Sequence, residues 1–255
     1  MKAYGAFTRK EFLEAFRTYK ILILGIIFFV FGMMSPLAAK FLPELVENFM
    51  PEGMAMTVPE PTAMDAWSQF FKNISQIGLF VIAILFSGLM ASEYAKGTLT
   101  NMLTKGLSRH TVVFSKLTMA VLLWTGAYAL CFGVSLIYTI YFWGGHVIIG
   151  SLWAAVFGLW LFGVFLIALT VFGSILLRTG YGSLLFTGLG VVAAFLLNLL
   201  PKIQRFNPFT LIGDYMGMLN GNIGFADLTS SIFVTIGIII LLTAASCVVF
   251  NRKQL

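Results

Sequence analysis

Apolar residues run along this chain in six long stretches, at about residues 21–39, 71–91, 117–143, 151–177, 181–200 and 229–250, with polar intervals between them. Each is close to the ~20 residues that a helix needs to cross the ~30 Å hydrocarbon core of a bilayer. The pattern predicts an all-α polytopic membrane protein, a single transmembrane domain of six helices over residues 1–255. The N-terminal interval (1–20) has its own periodicity. Phe12, Phe16 and Tyr19 recur at i, i+4 and i+7 with Leu13 beside them, while Arg9, Lys10, Glu14 and Arg17 take the other face. This predicts an amphipathic helix lying in the membrane interface; the rival reading is a basic flank that only sets topology. Two intervals are assigned to the outer side. Residues 40–68 are polar and broken by Pro43, Pro51, Pro59 and Pro61. Residues 201–228 are too polar to span and too apolar for an ordinary loop. Gly213, Gly217 and Gly221 recur there every four residues, a spacing that lets membrane helices approach closely. A half-buried helical hairpin is expected, because non-spanning backbone at membrane depth must be covered by protein; the alternative is a surface helical loop.

The interval 92–116, SEYAKGTLTNMLTKGLSRHTVVFSK, carries Glu93, Lys96, Lys105, Arg109 and Lys116. A short helix is expected inside it. Thr98 is placed to cap its start, Leu99, Met102 and Leu103 form an apolar stripe, and Gly106 is placed to end it. Lys105 falls in the last turn, where a cation suits the helix dipole. An apolar stripe beside water, with no globular domain to cover it, calls for a partner.

Composition agrees with the patterning. Of 255 residues, 59% are hydrophobic and 10% are charged, against about 25% charged in soluble domains. The net charge of +6 does not point to nucleic acid, because the basic residues flank apolar runs instead of gathering on one face. Lys40, Lys72, Lys202 and Arg205 are the only basic residues assigned to the outer side, and most acids fall there. The positive-inside bias therefore predicts a multi-pass protein of the cell membrane with both termini cytoplasmic. Cys131 and Cys247 fall inside spans, so no disulfide is expected.

Apart from Lys72 at the outer end of the second, the apolar stretches hold no Asp, Glu, Lys, Arg or His, which argues against an ion-coupled carrier. Gln76, Tyr128, Ser135, Thr139, Thr170 and Ser174 are expected mostly as helix–helix hydrogen-bonding groups. The phosphate loop G-x-x-x-x-G-K-[ST], H-E-x-x-H and G-x-S-x-G are all missing from the sequence. No catalytic role is expected. Met50, Met54, Met56, Met64, Met216 and Met218 could attract Cu(I), but methionine is a common packing residue and no metal site is expected. Uphill movement of a solute would draw its energy from another chain.

The stretch Glu93-Tyr94-Ala95-Lys96-Gly97-Thr98-Leu99, followed by Arg109, and Asn207-Pro208-Phe209 after the fifth span, give the chain a family likeness along its whole length. It resembles the permease subunit of ABC-2-type transporters. The resemblance implies two permease chains, identical or related, and two separate ATPase subunits that carry ATP and Mg; no cofactor is implied on this chain. Leu99–Lys105 would be the coupling helix, with Gly97 and Thr98 leading into it. Glu93 and Arg109 would brace the loop, by a salt bridge or by contacts with the interface helix, and Asn207 and Pro208 would introduce the outer helices. The expected function is export of an amphipathic or hydrophobic cargo such as a peptide, antimicrobial or drug. The rivals are a non-transporting anchor or sensor subunit and an ion-coupled carrier.

Overall fold

Among the described residues, six helices are long and apolar enough to cross a membrane: Lys20–Leu42, Ala63–Ala95, Arg109–Trp143, Leu152–Leu177, Gly180–Asn198 and Phe225–Arg252. The structure, a computed structural model, describes residues 2–49, 60–104, 106–145 and 147–253, and no strand occurs among them. In chain order the helices are α1 (Lys2–Arg17), α2 (Lys20–Phe49), α3 (Ala63–Asn73), α4 (Leu79–Lys96), α5 (Thr98–Thr104), α6 (Arg109–Trp143), α7 (Leu152–Leu177) and α8 (Gly180–Asn198). Three short helices follow, α9 (Pro201–Gln204), α10 (Thr210–Gly213) and α11 (Tyr215–Leu219), before α12 (Phe225–Arg252). A π-helical turn, Ile74–Gly78, joins α3 to α4 into one span. The even number of crossings puts α1, α5, the α7–α8 turn and the end of α12 on one face, here called the terminal face.

Helix α7 is the central post. Its sequence is apolar all round, the signature of a helix surrounded by protein, and it packs on α4, α6, α8 and α12. Of its most apolar window 72% is buried, against 17% for α8 and for α12, which therefore lie at the periphery with broad apolar faces outward. Small residues set the close crossings. A Cβ on Gly163 would stand 2.3 Å from the Trp124 ring, and one on Gly158 would stand 2.8 Å from the Leu211 carbonyl. Trp124 stacks on Tyr128 with centroids 5.0 Å apart, and Trp67 stacks on Phe132 at 5.4 Å.

Polar groups inside the bundle mostly join helices. Ser135 donates to the Gly32 carbonyl at 2.8 Å, Tyr128 to the Val156 carbonyl at 3.0 Å, and Thr187 to the Thr170 hydroxyl at 3.2 Å. Ser174 accepts from the Met90 N–H at 3.2 Å. Thr139 instead bonds back to the Ser135 carbonyl of its own helix, and Gln76 is exposed.

Three segments depart from the sequence expectations. Helix α2 runs on to Phe49, through Pro36 and Pro43, well past the expected end near 39. A proline costs the helix one N–H bond and strains one turn, and a helix with apolar neighbours continues past it. The second span begins at Ala63 rather than 71. Thr62 and Asp65 form a capping box, with the Thr62 N–H donating to Asp65 at 2.8 Å. Asp65 and Lys72 look like loop residues in the sequence, yet they share the exposed side of α3, while Trp67, Phe70 and Phe71 fill the buried side. Met50, Met54 and Met56 lie outside the described residues.

In place of one outer hairpin, three short helices precede the last span: α9 packs on α8, while α10 and α11 fold back on α7, α3 and α12 and bury Leu211, Met218 and Leu219. Gly213 ends α10, Gly217 meets Ile223 of its own segment, and Gly221 (φ +77) turns the chain beside Gly150. The four-residue glycine spacing is thus distributed over breaks between helices and is not the contact stripe of one. Asn207 explains the break before α10: its amide donates to the Ala194 carbonyl at 2.6 Å and its carbonyl accepts from the Phe209 N–H at 3.1 Å. Pro208, beside it, is buried.

Candidate functional site: a charged junction behind a short capped helix

Two glycines frame α5. Gly97 (φ +66) ends α4, its N–H bonding the Tyr94 carbonyl at 3.2 Å, and turns the chain. Gly106 (φ +87) closes the other end. Its N–H reaches the Leu103 carbonyl at 3.0 Å and the Leu107 N–H reaches Met102 at 3.3 Å, the paired bonds of a Schellman stop. Ser108 then caps α6, accepting from the Thr111 N–H at 3.3 Å. Thr98 is the first residue of α5 and not its cap; its hydroxyl donates to the Glu93 carbonyl at 3.4 Å. Lys105 and the side chain of Lys96 lie outside the described residues.

The apolar stripe of α5 is turned inward. Leu99 is 1% exposed, and Met102 and Leu103 pack against the core. The expectation that this stripe needs an external partner is therefore corrected. The ends of the spans are the nearest apolar surface, and they cover it. The outward side offers Thr104 and, past the helix, Gly106 and Ser108.

Behind α5 lies a buried ionic junction. Lys116, two turns into α6 and 2% exposed, bonds Glu11 of α1 at 2.9 Å and Glu93 of α4 at 3.0 Å. Lys10 bonds the same Oε1 of Glu93 at 3.0 Å, Glu11 at 2.9 Å and Glu14 at 2.7 Å. Glu11 and Glu93 are 2% and 3% exposed. Burial works to lower Lys10, but hydrogen bonds to Glu14 and Glu11 and the charge of Glu93 hold it well above the usual lysine value. Burial likewise works to raise Glu14, yet the Lys10 bond holds it below the usual range. The Glu93–Lys116 bond closes the base of the hairpin whose tip is α5. The Glu11 and Lys10 bonds tie α1 to that base. Oxygens of Glu11, Glu14 and Glu93 come within 4.8 Å of one another, as metal ligands would. Two lysine ammonium groups already answer this trio, and that chemistry disfavours a divalent ion.

Helix α1 packs on α6 through the stripe Phe7, Glu11 and Ala15, with Tyr4 bonding Thr118 at 2.7 Å. Phe12 and Phe16 point away from the protein, 47% and 66% exposed, with Leu13 beside them and Arg9 and Arg17 also exposed. The helix thus has one face packed on protein and one apolar face free of it.

Arg109 does not meet Glu93. Of the two braces entertained for Glu93, the structure contains the contact with the interface helix. The Arg109 guanidinium donates instead to the carbonyls of Phe250, Asn251 and Lys253 and lies 5.4 Å from the Phe250 ring. Lys253 in turn donates to the carbonyls of Ile175 and Leu176, each at 2.7 Å. Burial, and then nearby Arg178, lower its pKa. Two cations therefore satisfy the orphan carbonyls at the ends of α12 and α7, where the helix dipoles favour them. Arg178 lies over Tyr94, which meets Phe250 edge-on.

Sequence reasoning missed Glu11, Lys116 and Lys253. Glu11 sits between Phe7 and Ala15 at four-residue spacing, which marks it as facing protein. Lys116 has Val112, Val113, Met119 and Ala120 around it in helical register, a signal that it lies inside the bundle. Lys253 has no comparable signal.

No protein-family profile matches the chain. Over 213 residues it is 22% identical to the "Uncharacterized transmembrane protein YxlG" of Bacillus subtilis (strain 168), a match covering 82% of this chain and 81% of that protein. With six apolar helices and a transmembrane relative matched over about four-fifths of both chains, the class is decided. This is an integral membrane protein with six spans. Because the match leaves out less than a fifth of either chain, it includes the α4–α6 hairpin.

Proposed function

We propose that this protein is the permease subunit of an ATP-driven exporter of the ABC-2 type. The observation that carries the reading is the clamped hairpin: a short, doubly stopped helix at its tip and the Glu93–Lys116 bond across its base, tied to α1 through Glu11 and Lys10. A helix that receives force has to be short, firmly ended and rigidly joined to the spans, and α5 meets each condition. The terminal face is the cytoplasmic one in this reading, following the lysine and arginine bias. ATPase subunits bearing ATP and Mg dock there against the polar side of α5. Their closure pushes α5, and the junction passes the displacement to α4, α6 and α1. Helix α4 packs on α7 and α8, and α6 on α2, so the displacement reaches most of the bundle. A second permease chain, identical or related, completes the pathway for an amphipathic or hydrophobic cargo. Hydrolysis belongs to the partner, and this chain acts as a gate.

The test is purification from native membranes followed by reconstitution. A nucleotide-hydrolysing ATPase should accompany the chain and turn over faster with cargo. Glu93→Ala should leave hydrolysis and abolish transport. Solute accumulation by the chain alone, without nucleotide, refutes the reading. A bound ATPase that never turns over assigns the chain as an anchor.

A further inference from the structure

The ionic junction is the exception in an otherwise apolar interface. Helix α1 meets α6 through Phe7 and Ala15, contacts that need no charge. Between them Glu11, Glu93 and Lys116 are each at least nine-tenths buried. Buried ion pairs rarely stabilise a protein more than apolar residues of the same volume, because desolvation offsets their attraction. Their best-attested use is to fix one arrangement against others. Three carboxylates face two ammonium groups here, and Glu93 Oε2 is buried with no hydrogen-bond partner. The junction is thus polar, specific and short of one donor.

We infer that Lys116 is a positioning residue that fastens α1 and the α5 hairpin into a single moving body, through a bond that can be released. Among the described residues, Lys116 is the one side chain that reaches both Glu11 of α1 and Glu93 of α4 from α6 while fully buried. Lys10 duplicates part of the connection from α1, but its side chain is 37% exposed and already engaged with Glu14. Loss of Lys116 leaves α1 attached by Phe7, Ala15, the Tyr4–Thr118 bond and the half-exposed Lys10–Glu93 bond, and loosens its angle relative to α5. This inference deepens the permease reading, since it names the part that makes interface helix and coupling helix move together.

The experiment uses the whole chain in lipid nanodiscs, with no ATPase and no nucleotide. Spin labels are placed on the exposed positions Arg9→Cys and Thr104→Cys, in a Cys131→Ser, Cys247→Ser background. Pulsed electron–electron resonance then reads the distance between α1 and α5. Lys116 intact should give one narrow distribution. Lys116→Met should add a longer component, and Lys116→Arg, which keeps the charge, should restore the single narrow one. A Lys116→Met distribution equal to that of the parent overturns the inference, even if its melting temperature falls. Should Lys116→Met fail to fold, the near-isosteric Glu93→Gln is read in the same way. Because no motor is present, failure here leaves the permease reading standing. Conversely, a latch without ATPase coupling would retain this inference and remove that reading.

Discussion

Replacing Lys116 by methionine is the sharpest energetic probe of the junction. The ammonium is 2% exposed and bonds Glu11 at 2.9 Å and Glu93 at 3.0 Å. Methionine fills most of its volume but leaves two buried carboxylates with only the half-exposed Lys10 between them. Breaking a buried pair by removing one partner costs about 3–5 kcal/mol, because the remaining charge is uncompensated. The triple variant Lys116→Met, Glu11→Leu, Glu93→Leu removes the orphaned charges too. It should recover all of that loss and unfold within about 1 kcal/mol of the parent or later. Lys10 keeps its bond to Glu14 in both variants, so the comparison isolates the buried part. Unfolding in mixed micelles by titration with a denaturing detergent, followed through tryptophan fluorescence, gives both differences. A single variant that costs less than about 1 kcal/mol, or a triple variant as unstable as the single, refutes the view that Lys116 is compensated by these carboxylates.

Arg109→Ala should fray the last turn of α12 by about 1–2 kcal/mol, since three carbonyls lose their donor. Faster amide exchange near residues 248–253, with no change in α2, would verify it. Gly163→Ala should cost about 1–3 kcal/mol through overpacking and shift Trp124 emission, because the new Cβ stands 2.3 Å from that ring. Gly150→Ala should be worse, as φ is +49 and the Cβ would meet the Leu219 carbonyl at 2.2 Å; thermal melting ranks the two. The docking of α1 should also depend on pH in a defined sense. Glu14 is depressed, so its contribution is full above the ordinary glutamate range and fades as pH falls through its lowered value. Lys10 is raised, so its contribution is full below the ordinary lysine value and fades only as pH climbs through its elevated one. Protease protection of α1 should stay flat across neutral pH, drop in acid below the ordinary glutamate range, and fall again only in alkali above the ordinary lysine value.

The six crossings were legible because each is a long apolar run and lipid leaves helix as the form that pairs its own backbone. The stops of α5 were partly legible as well: Gly106 ends it through a local backbone conformation that a sequence can specify. What sequence patterning could not give was orientation. The stripe Leu99, Met102 and Leu103 fits a docking face or a buried face equally well, and only the proximity of the span ends decides for burial. Lys116 reads as a flank because it borders an apolar run, yet α6 starts seven residues earlier at Arg109 and carries it into the bundle. Its partners lie 105 and 23 positions away along the chain, beyond the reach of any local pattern. The outer segment misled for another reason. Glycine at four-residue intervals matches a contact stripe only if one helix carries all three, and the breaks at Asp214, between α10 and α11, and at Gly221 split the segment first.

The π-helical turn at Ile74–Gly78 gives this span a second degree of freedom. A π turn accommodates one residue more than an α turn. Passing that surplus along, or annealing it, would screw the lower half of the span by about 100° and lengthen it by about 1.5 Å. Glu93 rides on that lower half, so a small change in pitch near the aromatic layer of Trp67 and Phe70 would swing its carboxylate out of reach of Lys116. Such a shift would alter far-side packing and near-side ionic locking together, because one continuous span carries both.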